Sequence, residues 1–426
     1  MFAPGAGVNP TKTTSHKVII PFYVYASLSF VAGCVLLFAS SASFTGPHFQ
    51  PHLLAVTHVM ALGWGSMMIL GASHQLVPVL IEGKLFSNTL AYLSFALAGV
   101  GIILMVWAFY HFDFGLAAQV GSLMILGAFL SYLVNIIVSM SKANHTNVHA
   151  TFVLAGTLWM ILTISLGVLL IFNFNHNLLS FSSVAYLPLH AHLGIIGWFL
   201  MLVLGVGSRL IPMFLISKYS NEKRLWLIFY LVNAGLLLFY ASFIVKQVQS
   251  LYILSSLMIV SAIVLFIQFA YKAYKARIRR AVDPQVKIAL GSSWMMLLPA
   301  IVLGMVFATS VLSAYFEKLV LIYGFCIFFG WISAIIFGMT FKTLPFILWN
   351  KKFHQKAGIA RTPNPKELFS QPVFRIMAGF YFAGFVIFIT GIVLANVIVL
   401  QTGAALLIVC AVLFNLNVFK MLRYKS

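Results

Sequence analysis

The chain has few acids and few cysteines, and each shortage excludes something. Only 6 of its 426 residues are Asp or Glu, against 26 Lys or Arg. Glu82, Asp113, Glu222, Asp283, Glu317 and Glu367 all fall in loops or at the ends of apolar runs. A proton-driven transporter or pump keeps a carboxylate inside the membrane, because that group changes charge when protonated, and none stands there. Cys34, Cys326 and Cys410 are scattered singly within apolar runs, which excludes a CxxC pair, a CxxCH haem attachment and a thiolate metal pair. No serine, cysteine or carboxylate constellation suggests nucleophilic catalysis.

What is abundant is apolar sequence. Hydrophobic residues make up 62% of the chain, charged residues 8%, and the mean hydropathy is +1.04, the composition of a polytopic membrane protein. Runs long enough to span a bilayer lie at about 18–42, 53–81, 88–110, 114–140, 148–173, 183–215, 224–245, 250–272, 288–311, 319–348, 374–398 and 400–420. The predicted fold is therefore all-α, with twelve transmembrane helices and no soluble domain. Residues 1–16 read as a loose cytoplasmic tail and 349–371 as an exposed cytoplasmic loop.

The formal charge of +20 does not point to nucleic acid. All but four of the 26 cations sit in the terminal segments or in loops after even-numbered runs. The exceptions are Lys246 and Lys318 on the other side, and Arg209 and Lys342 within runs. That asymmetry is the positive-inside pattern, and it places both termini in the cytoplasm of a bacterial-type inner membrane. The clusters KAYKARIRR (272–280) and Lys351–Arg361 read as contacts to anionic membrane lipids. No cleavable signal precedes the first run, which is expected to serve as its own insertion signal.

One stretch, HVMALGWGSMMILGASHQLVP (58–78), returns twice. Gly63-Trp64, Gly71 and Pro78 match Gly197-Trp198, Gly205 and Pro212, and again Gly330-Trp331, Gly338 and Pro345. The chain thus reads as three pseudo-repeats of four helices, at about 17–146, 147–285 and 286–422. At 100° per residue, positions seven apart share a helix face, and the residue eleven after each Trp falls about 20° away. That residue is Gln75, Arg209 or Lys342, polar each time, on a face that suits the interior of a bundle. With His74, and His149 as a neighbour, these form a second polar group toward the cytoplasmic side. Lipid phosphates or helix-end carbonyls would satisfy its charges; an anion or haem propionate is the sharper alternative.

His58 and His192 each stand six residues before their Trp, whereas the third copy has Phe325. His58, His190 and His192, with His48 or His52 from the first outer loop, form the candidate site, since neutral imidazole suits haem iron and copper. His190 and His192 point about 200° apart on a regular helix, so one is expected to face a ligand and the other a neighbour. His58 and His74 lie ~24 Å apart along one helix and belong to different sites.

The twelve spans, the threefold repeat and the outer histidine of the second span resemble subunit I of the haem-copper oxidases. The segment ILGASHQLVPVLIEG is similar to the close of that family's second span, and LHAHLGIIGW lies where its sixth span places a copper-ligating histidine. The resemblance implies His58 as a haem ligand and His192 or His190 as a copper ligand; His149, low in the membrane, is a separate candidate for a lower ligand. The family's other histidines are missing from LWLIFYLVNAGLLLFYASFIV (225–245) and LIYGFCIFFGWISAIIFGMTF (321–341). The chain is thus more similar to short, divergent members, including NnrS-like haem- and copper-containing membrane proteins. The expectation is a haem- and/or copper-binding protein of respiration or nitric-oxide and oxygen chemistry, with other respiratory-chain subunits as partners. A transporter or maturation factor for a metal, haem or a small molecule is the alternative.

Overall fold

The computed structural model describes residues 14–143, 147–245, 248–309, 313–353, 355, 359 and 361–424. Tail residues 1–13, His354 and parts of the 349–371 loop lie outside them. Twelve helices are long and apolar enough to cross a membrane, and the described residues form no strands. They are α1 (His16–Ala39), α2 (Pro51–Leu80), α3 (Asn88–Tyr110), α4 (Leu116–Ser141), α5 (Val148–His176) and α6 (Ser183–Leu215). Then follow α7 (Glu222–Ile244), α8 (Gln249–Lys275), α9 (Pro284–Ala308), α10 (Tyr315–Phe353), α11 (Gln371–Leu394) and α12 (Val397–Arg423). All twelve overlap the apolar runs of the sequence. The 349–371 loop is shorter than expected, because α10 runs on to Phe353, and Trp349 donates its indole N–H to the Pro363 carbonyl (2.6 Å).

Local chemistry sets several helix ends. Ser87, Asn147, Asn221 and Asn396 each accept a backbone N–H with the side chain just before a helix begins, and Pro284 occupies the first turn of α9. The three helices carrying the repeated tryptophans are the most enclosed. In α2, α6 and α10, 72%, 56% and 78% of the most apolar stretch is buried, against 22–50% elsewhere. Around them α1 packs on α2 and α12, α4 on α5, and α11 on α12, so first and last helices meet.

Each of these three helices contains a π-helical segment, at Val59–Ser66, Leu193–Leu200 and Cys326–Ile332. Each begins directly after His58, His192 or Phe325 and contains its tryptophan. A π turn frees backbone groups and is over-represented at functional sites. Here Ser333 Oγ donates to the Phe328 carbonyl (2.6 Å), satisfying one such group. The tryptophans then tie the helices together. Trp64 donates to Ser333 Oγ and Trp198 to Ser66 Oγ, both at 3.0 Å. The serines stand two residues after Trp331 and Trp64, and the corresponding position in α6 is Leu200, which leaves Trp331 without such a bond.

The glycine seven residues beyond each tryptophan has one job in all three helices. A Cβ on Gly71 would lie 2.7 Å from Phe22 of α1, on Gly205 2.3 Å from Phe152 of α5, and on Gly338 2.6 Å from the Gln285 carbonyl of α9. Each glycine lets the preceding helix press against the backbone.

Candidate functional site

The π segments begin where imidazoles must be aimed. His58, on the last α-helical turn before its segment, places Nδ1 2.8 Å from the Leu54 carbonyl, one turn earlier. His190 reaches across to α5, with Nδ1 3.1 Å from the Thr163 carbonyl. A carbonyl only accepts, so both rings carry the proton on Nδ1, and each Nε2 is left with a free lone pair. No described residue hydrogen-bonds either Nε2.

The two rings lie almost parallel, 24° apart, with centres 6.3 Å apart. That is well beyond the contact distance of stacked rings. Two imidazoles that held one metal, at about 2.0–2.1 Å per bond with roughly 1.1 Å from nitrogen to ring centre, would have centres at most about 6.3 Å apart. Gly167 makes room for one of them, since a Cβ there would lie 2.8 Å from His190 Cε1. Phe109 packs its edge on His58 with centres 4.7 Å apart.

Both histidines line an apolar cavity between α2, α5 and α6, walled by Phe49, Phe109, Phe114, Phe174, Phe199 and Phe328 among others. The centre of a water molecule could move through about 170 Å³ of it, within about 1040 Å³ of space unfilled by atoms, its mouth included. The smaller volume resembles cavities that take benzene, about 150 Å³. The lining runs from Leu54 to Ser66 along α2, which is ~18 Å. Apolar walls and two imidazoles lining one cavity, each with Nε2 free, fit a haem. For copper alone the fit is poorer, because the described residues gather no group of three His, Cys, Asp or Glu.

His192 stands elsewhere. Its Nδ1 is 2.7 Å from the Pro188 carbonyl, and its Nε2 accepts from the Tyr323 hydroxyl at 3.1 Å. Both nitrogens are engaged, so of the expected pair it is His190 that faces His58 and His192 that bonds a neighbour. The two pairings are built alike. Tyr323 stands 133 residues after His190, and the His192 and Tyr323 rings lie 5.8 Å and 25° apart. One pair spans a gap, and the other is closed by a hydrogen bond.

His48 and His52 do not join the site. The His48 backbone N–H and Nδ1 bind the Glu317 carboxylate at 2.6 and 2.7 Å, and His52 Nδ1 is 3.3 Å from Ser43 Oγ. His149 lies 14 residues before Thr163, ~21 Å along α5, with Nδ1 2.9 Å from Ser208 Oγ and 3.1 Å from the Gly205 carbonyl.

The second polar group separates into three. His74 is fully buried, bonded through Nδ1 to the Leu70 carbonyl (2.6 Å), with Nε2 unpartnered and its ring 5.2 Å from that of Tyr132. Gln75 Oε1 is also buried without a partner. Arg209 is exposed rather than on an interior face; its guanidinium forms no ion pair among the described residues and extends toward water or headgroups. Lys342 has a partner within the protein, its Nζ 2.6 Å from Asp283 Oδ2. Asp283 was legible as a loop acid, but its partner was not, since 59 residues separate them. Gly167 and the two carbonyls gave no signal in the sequence; Tyr323 could have been found by aligning the repeats.

No known family model matches the chain, and a search of curated proteins finds no match.

Proposed function

We propose that this chain is a haem-binding integral membrane protein in which His58 and His190 hold the group between α2 and α6. We further propose that it serves respiratory electron transfer or nitric-oxide and oxygen chemistry. The observation that carries this reading is the parallel pair of imidazoles, each fixed through Nδ1 to a carbonyl, facing an apolar cavity at a separation suited to one metal. Bound haem would supply one-electron chemistry. The protein's part is to fix both rings, to keep them neutral and to exclude water with phenylalanine walls. The scaffold reading, three units of four helices resembling subunit I of the haem-copper oxidases, draws support from three π segments at one register and two Trp–Ser bonds at one offset.

The test is an oxidised and dithionite-reduced optical spectrum of the purified protein, with iron and copper quantified on the same sample. A Soret band that shifts on reduction, with about one iron per chain, supports the reading. Copper without a Soret band favours a metal carrier or maturation factor instead.

A further inference from the structure

The far ends of α8 and α9 carry a feature that the histidine site does not use. A groove of about 260 Å³ runs between these helices. Ile267, Tyr271 and Tyr274 line it at one helical spacing on α8, and Leu290, Gly291 and Trp294 line it on α9. Trp294 and Tyr271 are 61% and 52% exposed, and a Cβ on Gly291 would meet nothing within 4 Å. The groove is therefore open along its length.

Its mouth is cationic. Lys275 Nζ lies 5.5 Å from the Tyr271 ring centre, and the Arg277 guanidinium 4.0 Å from that of Tyr274. Lys287 is exposed one turn before Gly291, on the same face as Gly291 and Trp294. None of these three cations forms an ion pair among the described residues. Asp283, the acid between the two helices, is engaged by Lys342 and Arg279. Burial alone would push its carboxyl up, but Lys342, with Arg279 and Lys366, holds it below the usual value, so it stays an anion committed to those partners.

We propose that this groove binds one anionic diacyl phospholipid, with an acyl chain along Gly291 and the phosphate between Lys275 and Lys287. Charge complementarity selects the occupant: an unpaired cationic mouth above an apolar slot lined by Tyr271, Tyr274 and Trp294. The site is independent of the haem reading, and either can fail alone.

The experiment is native mass spectrometry of the full-length protein in detergent, titrated with dioleoyl phosphatidylglycerol or dioleoyl phosphatidylcholine. The wild type should retain one phosphatidylglycerol more tightly than phosphatidylcholine. The double variant Lys275→Gln, Lys287→Gln should bind it about thirtyfold more weakly, at about 1 kcal/mol per cation near a surface, with phosphatidylcholine unchanged. Gly291→Phe, which fills open space and leaves the packing alone, should weaken both lipids. No preference in the wild type, or variants that bind like it, would overturn the site. Displacement of the lipid by millimolar glycerol phosphate would also overturn it, by showing an anion site indifferent to chains.

Discussion

At the scale of single residues, the site depends on how two imidazoles are held. Gly167→Ala would place a methyl 2.8 Å from the His190 ring, and overpacking of that kind costs about 1–3 kcal/mol. The expected outcome is haem bound roughly ten- to a hundredfold more weakly, measured by haem transfer to a competing acceptor, with the helical circular dichroism unchanged. A second residue-scale prediction concerns Asp283 and Lys342. Their 2.6 Å ion pair is about three-quarters buried, with side chains 25% and 20% exposed. Removing the carboxylate in Asp283→Asn leaves an uncompensated cation, and the loss should be about 1–3 kcal/mol, below the full cost of a wholly buried pair. Because the folded carboxyl is held below its ordinary 3.8, the pair stabilises the fold at neutral pH. That stabilisation is lost as pH falls below about 4 through the folded value. Wild type and variant should therefore differ in thermal stability at pH 7 and converge in strong acid; a constant difference would refute the ion pair as the cause.

At the scale of helices, the three π segments and the Trp–Ser bonds make α2, α6 and α10 one interlocked centre. Ser333→Ala would leave the buried Trp64 indole N–H without its acceptor, at a cost of about 1–3 kcal/mol. Leu200→Ser would offer Trp331 the acceptor that the other two tryptophans have, so it should cost less in thermal unfolding than Leu200→Ala, which opens a similar cavity in the core. A serine variant no more stable than the alanine variant would mean that Trp331 is not aimed at position 200. The helices themselves were legible because apolar length is a strong signal, and the observed spans match the runs to within a few residues. The π segments were not. VMALGWGS and LGIIGWFL each hold two glycines, which weaken a helix without specifying a wider turn; that turn is chosen by packing between helices. The exposed Arg209 shows the same limit, since the regular 100° rule that put it inside does not hold through a π turn.

At the scale of the whole molecule, the repeat spacing pointed to His58 and His192 as equivalent positions but not to which partner each one meets. Equivalent residues on three central helices do not face one another. The two histidines meet the residue two earlier on the next helix, as His58 meets His190 and His192 meets Tyr323, while Phe325 stacks on Phe385 and Phe388 of α11. That offset is set by packing of the three helices, and one repeat read alone does not contain it. The excess of cations after even-numbered helices is the ground for expecting cytoplasmic termini. If both termini are cytoplasmic, cysteines introduced at Thr45 and Ser180 in a cysteine-free background should react with an impermeant maleimide from outside intact cells, and one at Asn364 should not. The central claim is that haem sits between His58 and His190, and spectra of three purified variants test it most directly. His58→Ala and His190→Ala should lose the Soret band or lose the low-spin signature of two axial imidazoles, while His192→Ala keeps the wild-type spectrum. A Soret band unchanged in the first two, or abolished only in His192→Ala, would contradict the account.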